Sequence, residues 1–255
     1  MSEQNVKPSN VTLWQGDCLE LMKDIPDGSV DMILCDLPYG TTACKWDTVL
    51  PFKPLWAQYN RIIKENGAVV LFASEPFSSQ LVTSNIDHFK HDWIWQKNAG
   101  SNFGCVRFQP MREHEQVLVF CNGKAPYSPI MQERAESGKA RVKTVVKYNT
   151  KTDVYGSGFH NEVVSKRPGL RYPSSVQKFN RERGLHPTQK PVALLEYLIK
   201  TYTNEGETVL DNCMGSGSTG VACVNTGRKF IGIELDEHYF EVAQNRIREA
   251  EAILS

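Results

Sequence analysis

The residues Asp36-Leu37-Pro38-Tyr39 place a carboxylate, a proline-stiffened turn and an aromatic ring directly after an apolar run. That run, residues 30–35, predicts a buried strand that ends in a tight turn. The carboxylate and a backbone carbonyl can each accept one hydrogen of an exocyclic amine, while the ring stacks on the base that carries it. Accepting both hydrogens frees the lone pair of the amine nitrogen. The motif favours chemistry on such an amine, although a packed tyrosine beside an Asp-containing turn is the simpler alternative.

A second motif, near the end of the chain, has the order strand, glycine loop, helix. Residues 207–211 are strand-like, a loop with Gly215, Gly217 and Gly220 follows, and a helical pattern comes next. This order is typical of a nucleotide-type cofactor site. The next strand ends at Glu234, where a carboxylate can bind both hydroxyls of a ribose. The alternative is a tight crossover whose glycines only let the helix pack on the sheet.

The same glycines match the dinucleotide fingerprint, so NAD(P) is an alternative cofactor. Asp211 argues against it, because a carboxylate there would repel a pyrophosphate and attract a sulfonium or an ammonium group. The glycines also leave little chain for a second mononucleotide-binding half. Finally, the chemistry of a dehydrogenase does not explain the motif at residues 36–39.

In this order, the motifs resemble those of the S-adenosylmethionine-dependent DNA amino-methyltransferases of the circularly permuted β type. In that family a catalytic Asp-Pro-Pro-Tyr motif comes first, a target-recognition insert follows, and the cofactor glycine motif comes last. The resemblance covers most of residues 10–247. The chain departs from the usual pattern at Leu37 and Asn212, where proline is usual, and at Cys213, where phenylalanine is usual.

The resemblance implies a role for each matched residue. Residues 186–191 match most closely and correspond to the segment that opens the cofactor half, with His186 expected at the cofactor carboxylate, while Asp17 is expected near the adenine ring. The implied catalytic residues are Asp36, Leu37, Pro38 and Tyr39. The implied S-adenosyl-L-methionine-binding residues are Asp17, Cys18, Asp36, His186, Thr188, Lys190, Asp211, Cys213, Gly215, Ser216, Gly217, Glu234, Leu235 and Asp236.

A basic segment lies between the two motifs, although the whole chain has no net charge. Residues 123–185 contain 13 Lys and Arg and five Asp and Glu, a net charge of +8. Basic residues interleaved with aromatic ones indicate a polyanion partner, with a solvated surface insertion as the alternative. The resemblance makes this segment the target-recognition insert, and its DNA-binding candidates are Lys139, Arg141, Lys143, Lys147, Lys151, Arg167 and Arg171.

Predicted strands alternate with predicted helices, and the strands are apolar throughout. One of the predicted helices covers residues 52–65. This pattern implies an α/β fold with a mostly parallel sheet and helices on both faces, and antiparallel strands near residues 92–120 would make the sheet mixed. With the resemblance, the fold is Rossmann-like, of the circularly permuted class I methyltransferase type. We expect residues 10–122 as its catalytic half, residues 123–185 as the irregular target-recognition insert and residues 186–255 as its cofactor-binding half.

Composition favours a protein that works inside a cell. No stretch approaches the roughly 18 apolar residues of a membrane span, and no secretory leader is recognisable. Seven dispersed cysteines without metal-ligand spacing favour reduced thiols and no metal site. We expect a cytoplasmic, bacterial or phage-encoded protein that acts on DNA and not at a membrane. A homodimer and a cognate restriction endonuclease as partners remain open.

The resemblance implies methyl transfer from S-adenosylmethionine to the N6 amine of adenine in DNA. The base would be flipped out of the duplex, because its amine cannot reach a buried donor while it is stacked. Asp at the first motif position goes more often with adenine in this family, and Ser with cytosine N4, so N4-cytosine methylation is the alternative. RNA and protein-amide methyltransferases share the chemistry but usually have the glycine motif first. An inactive binding module is a further alternative, although every predicted catalytic position holds a competent side chain.

Overall fold

The computed structural model describes residues 10–40, 47–136, 169–182, 184 and 189–254. The chain forms two compact units, the larger from residues 1–128 and 175–255 and the smaller from residues 129–174. Within the described residues, no helix combines the length and the apolar character needed to cross a lipid bilayer.

Strands and helices alternate along the larger unit. The strands of the chain are β1 (Val11–Gln15), β2 (Val30–Cys35), β3 (Ile63–Ala73), β4 (Phe89–Ser101), β5 (Arg112–Phe120), β6 (Gln132–Glu133), β7 (Leu170–Arg171), β8 (Val176–Lys178), β9 (Thr208–Asp211) and β10 (Lys229–Glu234). The α-helices of the larger unit are α1 (Cys18–Leu21), α2 (Phe52–Ile62), α3 (Phe77–Ser84), α4 (Val192–Tyr202), α5 (Ser218–Asn225) and α6 (Glu237–Leu254). In the smaller unit, β6 and β7 form an antiparallel pair.

Eight strands form one sheet in the order β1-β10-β9-β2-β3-β5-β4-β8. The pairs from β1 through β3 are parallel, β5 is antiparallel to both β3 and β4, and β8 is parallel to β4. Strand β5 therefore runs against the other strands of this described sheet. The prediction of a mixed, mostly parallel sheet is confirmed.

Helices cover both faces of the sheet, and alternate side chains of each strand point to opposite faces. On β2, Ile33 and Cys35 pack in a buried cluster with residues of α1, α2 and α3. Met32 and Leu34 point the other way, into a second cluster with residues of α4, α5 and α6. A strand that is apolar at nearly every position is the sequence signature of this double burial.

The predicted helix over residues 52–65 is too long. It ends at Ile62, and Ile63 already has extended backbone angles and begins β3. Ile63 pairs with Val30 on β2, and a Cβ atom added to Gly67 would lie 2.6 Å from the Ile63 side chain. Strand pairing and the close approach that glycine allows at residue 67 therefore override the helical spacing of the apolar residues.

Trp93 and Trp95, which alternate along β4, are both buried. The indole nitrogen of Trp93 donates to the Tyr202 hydroxyl at 2.6 Å, and Nε2 of His91 lies 2.8 Å from the same oxygen. The indole nitrogen of Trp95 donates to the carbonyl of Phe179 at 2.9 Å. Each buried indole therefore has an acceptor, as burial of an N–H group requires.

Replacing Tyr202 by Phe should lower the free energy of unfolding by about 1–3 kcal/mol, because the buried Trp93 N–H would lose its acceptor. Urea denaturation followed by tryptophan fluorescence measures the change. The exposed Tyr172 offers a matched control, and Tyr172→Phe should stay within about 0.5 kcal/mol of the original protein. Equal midpoints for the two variants would contradict a stabilising role of the Tyr202 hydroxyl.

Candidate active site

The predicted site residues follow the carboxyl ends of neighbouring parallel strands. Asp36 follows β2, and Asp211 and Glu234 are the last residues of β9 and β10. Gln15, at the end of β1, pairs with Glu234, and the Gly16 amide donates to the Glu234 carbonyl at 2.9 Å. Since β1, β10, β9 and β2 are adjacent, these residues meet at one edge of the sheet, where ligands of open α/β sheets bind.

A cavity of about 800 Å³ opens at this edge. Its volume lies within the range of small-molecule and cofactor sites. The predicted residues that line it are Asp17, Cys18, Asp36, Leu37, Pro38, Tyr39, Lys190, Asp211, Cys213, Gly215, Ser216, Glu234 and Leu235. One cavity thus brings together the turn after β2 and the glycine loop after β9, which are far apart in sequence.

Two predicted cofactor residues do not line the cavity. Gly217 has φ of +78°, and a Cβ atom there would lie 2.8 Å from that of Ala243, so this glycine lets the loop pack against α6. The Asp236 carboxylate accepts a hydrogen bond from the amide of Tyr239 at 3.1 Å and thereby caps the start of α6. The contacts of both residues are therefore with α6.

Of the predicted DNA-binding residues, the structure describes Arg171. Arg171 is exposed on β7 in the smaller unit, where Nη2 donates to Oε1 of Gln132 at 3.4 Å. The residues outside the described ranges are His186, Thr188, Lys139, Arg141, Lys143, Lys147, Lys151 and Arg167.

The Asp36 carboxylate is held from two sides. Oδ1 accepts a hydrogen bond from the Tyr39 hydroxyl at 2.8 Å, and Oδ2 accepts one from the Lys190 ammonium group. The Tyr39 ring also stacks on Phe77, with 4.9 Å between ring centroids. A carboxylate has about four lone-pair sites, so Asp36 keeps acceptor capacity for a ligand amine.

Lys190 belongs to a row of buried side chains of alternating charge, which we term the ion-pair chain. Its Nζ contacts Asp36 and lies 3.4 Å from Oε2 of Glu115, whose Oε1 is contacted by Lys97. The Lys190 ammonium also lies 5.1 Å from the centre of the Phe72 ring. Burial of these groups is tolerated because each charge has an opposite partner at contact distance.

The pKa values of the groups in the ion-pair chain follow from burial and from the neighbouring charges. Burial raises the pKa of Asp36, against the opposing effect of Lys190. Burial alone would raise the pKa of Glu115, but Lys190 and Lys97 bring it below its usual value. Burial alone would lower the pKa of Lys190, but the two carboxylates raise it. The pKa values of the two carboxyl groups that contact Lys190 are therefore shifted in opposite directions, upward for Asp36 and downward for Glu115.

On the other side of the cavity, backbone amides hold Glu234 and Asp211 in place. The Glu234 carboxylate accepts from the amides of Gly215 and Asp236, at 2.8 and 2.9 Å. The Asp211 carboxylate accepts from the Thr219 hydroxyl at 2.6 Å and from the Cys213 amide at 3.1 Å. The glycine loop is thereby tied to both carboxylates.

These carboxyl groups fit a cationic ligand with a ribose. Burial raises the pKa of Asp211 to about 6 and also raises that of Glu234. Within the described residues, no Lys or Arg forms an ion pair with Asp211. A bound cation would stabilise the ionised form of Asp211, whereas a pyrophosphate would be repelled.

Asn212 and Cys213, the two departures in the cofactor motif, contact each other and Cys18. Nδ2 of Asn212 lies 3.5 Å from both cysteine sulfurs, and its Oδ1 accepts from the Tyr59 hydroxyl at 2.6 Å. Thiols and a fully hydrogen-bonded amide thus stand beside the glycine loop where proline and phenylalanine are usual in the resembled family. All six described cysteines are free thiols.

Sequence reasoning missed the part of the cavity that β4, β5 and β8 build. Arg181 follows β8, and its Nε and Nη2 atoms are buried without a hydrogen-bond partner among the described residues. The missed charged residues that line the cavity are Asp47, Lys97, Arg112, Glu115, Arg181 and Glu182. A usable signal was present at Lys97 and Glu115, because each lies two residues from an apolar residue of the same strand, Trp95 on β4 and Val117 on β5.

A family model described as a DNA methylase, for N6 and N4 amino-methyltransferases, matches residues 30–245 of this chain. The match spans both the turn after β2 and the glycine loop after β9, so it covers the two motifs of the cavity.

Two bacterial relatives match over nearly the whole chain. The putative methylase YubD of Escherichia coli (strain K12) is 31% identical over 91% of this chain and 88% of its own length. The type II methyltransferase M.HinfI of Haemophilus influenzae is 28% identical over 98% of this chain and 71% of its own length.

Solved structures show the same fold. The M1.HpyAVI–SAM complex is 26% identical, with a TM-score of 0.63, and the match covers 93% of this chain and 98% of that chain. The cytosine-N4-specific PvuII DNA methyltransferase has a TM-score of 0.66 at 17% identity, over 96% and 92% of the two chains, and so supports the fold alone.

Replacing Lys190 by Met should lower the free energy of unfolding by about 3 kcal/mol at pH 8, because two buried carboxylates would lose their shared cation. The loss should shrink at pH 5, because both carboxyls can then be protonated. Urea denaturation at the two pH values measures both effects. Lys200, which is exposed and pairs with Glu196, provides the control, and Lys200→Met should change stability by less than about 1 kcal/mol. A pH-independent loss in Lys190→Met would contradict the electrostatic origin.

Proposed function

Because this chain belongs to the N6/N4 DNA methylase family, we propose that it methylates the N6 amine of adenine in DNA. Members of this family are S-adenosylmethionine-dependent DNA amino-methyltransferases, and this chain is one of them. Which amine it methylates, adenine N6 or cytosine N4, is the proposed part. The observation that carries the proposal is Asp36, the first residue of the catalytic motif, which lines the cavity between Tyr39 and Lys190.

We assign the cofactor to the side of the cavity built by β1, β9 and β10. Asp211 would face the positive charge of S-adenosylmethionine, Glu234 would accept from the ribose hydroxyls, and Asp17 would lie near the adenine. When bound, the cofactor supplies an electrophilic methyl group on a sulfonium ion. The raised pKa of Asp211 supports this assignment, because a buried carboxyl without a cationic protein partner favours a cationic ligand.

The target amine is assigned to the turn after β2. Asp36 accepts one amine hydrogen, the carbonyl of Leu37 or Pro38 accepts the other, and Tyr39 stacks on the base. Lys190 favours the ionised form of Asp36, against the opposing effect of burial, and holds the acceptor in place before the base arrives. The raised pKa of Asp36 also makes it a ready acceptor for the proton that the amine releases.

Contacts with the duplex are assigned in part to the basic segment of residues 123–185, whose net charge is +8. Lys and Arg there would neutralise phosphates, so affinity should fall steeply with added salt. The type II methyltransferases among the relatives also favour a restriction-modification context for this chain.

Sequencing that detects methylated bases, applied to the DNA of a host that expresses the protein, would give both the modified base and its sequence context. N6-methyladenine at one recurring context is the expected result. N4-methylcytosine would overturn the adenine assignment and leave the family assignment intact. The matched control is a host that expresses the Asp36→Ala variant.

Replacing Asp36 by Ala should lower turnover at least about 100-fold, because the amine loses a preorganised acceptor. Binding of S-adenosylmethionine should change little, because Asp36 is assigned to the amine and not to the methyl donor. Transfer of a tritiated methyl group measures turnover, and calorimetry measures binding. Asp87→Ala, in an exposed turn before β4, is the control. Near-normal turnover in Asp36→Ala would refute the catalytic assignment.

Affinity for S-adenosylmethionine should rise about tenfold between pH 5 and pH 7.5. Asp211, with a pKa of about 6 in the free protein, is mostly protonated at pH 5, and a cationic ligand prefers its ionised form. Calorimetry across this range should detect the rise and the release of a proton on binding. The Asp211→Asn variant should bind more weakly and show a flatter pH profile. An identical profile in the variant would assign the titration to another group.

A further inference from the structure

The loop of residues 102–111, which joins β4 to β5 and is termed the β4–β5 loop, exposes an unusual number of apolar side chains. The exposed fraction of Phe108 is 89%, and the other exposed apolar residues of the loop are Phe103, Val106 and Met111. Single exposed apolar residues are ordinary, but such a concentration within ten residues marks an interaction surface.

The loop is ordered by its own hydrogen bonds. Asn102, in the left-handed conformation with φ of +65°, accepts from the Arg112 amide at 2.8 Å and donates to the Pro110 carbonyl at 3.3 Å. A 3-10 helix, Phe103–Cys105, follows, and the Phe108 amide donates to the carbonyl of Cys105 at 2.9 Å. The aromatic side chains are therefore presented on a defined backbone.

The loop stands at the rim of the cavity that contains Asp36. Ser101 and Arg112, the residues that flank it, pair with each other across β4 and β5, and both line that cavity. Strand β5 begins at Arg112, beside the end of β3, so the loop leaves the sheet at the edge to which the target amine is assigned.

The charge of the loop suits a polyanion. Residues 101–112 contain Arg107 and Arg112 but no Asp or Glu, and Arg107 is exposed beside Phe108. An arginine next to an exposed aromatic ring combines a phosphate contact with a surface that can stack on bases. A purely apolar partner surface would leave the exposed guanidinium group of Arg107 without a counterpart.

We propose that the β4–β5 loop is a DNA wedge, with Phe108 entering the base stack at the place that the flipped target base leaves and Arg107 contacting a neighbouring phosphate. This inference rests on the proposed function, since it concerns how a duplex reaches the Asp36 turn. Apolar side chains that enter base steps offset part of the cost of unstacking, and Phe108 would lower the free energy of base flipping in this way.

The test compares two short duplexes that carry the sequence context found in the host DNA, one fully paired and one with a mismatch opposite the target base. The Phe108→Ala variant should lower kcat/KM about tenfold or more on the paired duplex, which corresponds to the loss of one stacking contact. On the mismatched duplex its kcat/KM should lie within about threefold of the original protein, because the base is already destabilised. The Phe108→Trp variant should keep most of the activity on both duplexes.

The control variant is Ile86→Ala, because Ile86 is also apolar and exposed (59% exposed) but precedes β4, at the opposite end of the strand. It should behave like the original protein on both duplexes. Equal losses for Phe108→Ala on paired and mismatched DNA, or a change of oligomeric state in sedimentation with unchanged duplex activity, would overturn the wedge. An original protein that methylates neither duplex would instead overturn the proposed function, and the wedge with it.

The exposed Cys105 thiol gives an independent measurement of proximity. A duplex with a disulfide-activated tether on the base opposite the target should form a mixed disulfide with the original protein. The Cys105→Ser variant should not form it. A cross-link that survives in Cys105→Ser, or no cross-link at all under conditions where the duplex is methylated, would place the loop away from the target base pair.

Discussion

The Lys190 ammonium group lies between two carboxylates that come from different parts of the sheet, Asp36 after β2 and Glu115 on β5. Each of these buried charges is costly alone and tolerable only with its partners. The position of Asp36 therefore depends on the start of β5, on Lys97 of β4 and on the segment before α4, 154 residues away in sequence. Through this ion-pair chain, β4, β5 and the segment before α4 together fix the carboxylate to which we assign the target amine.

The sheet order explains how distant motifs form one site. Strands β2 and β9 are adjacent, with Ile33 opposite Leu210, so the turn that begins at Asp36 and the loop that begins after Asp211 leave the same edge side by side. On one side of this junction the cavity is lined by carboxylates held by backbone amides, which suits a cationic cofactor. On the other side it is lined by ion-paired and arginine side chains.

Sequence patterns predicted the elements and site residues correctly wherever a feature is encoded by neighbouring residues. Apolar strands, the glycine loop and the terminal acids are encoded within short windows, and the structure brings most of the residues inferred from them to one cavity. Sequence patterns failed where the pairing of strands distant in sequence determines the position of a residue or the end of a helix. Glu115 enters the site only because β5 runs antiparallel to β3 and β4, and the helix before β3 ends early because Ile63 pairs with Val30. Gly217 and Asp236 match the motif yet serve the packing and capping of α6.

The pairing of β1 with β10 has a consequence for how the protein folds during its synthesis on the ribosome. Gln15 donates a hydrogen bond to the carbonyl of Leu235, 220 residues later, and Gly16 to that of Glu234. Strand β1 must therefore wait for a partner that the ribosome adds 220 residues later, and contacts of such wide separation form slowly. Asp36, Glu115 and Lys190 all precede Glu234 in the sequence, so the nascent chain contains the whole ion-pair chain before it contains the end of β10. The wall of the cavity that contains Glu234 is thereby completed only after β10 has been synthesised.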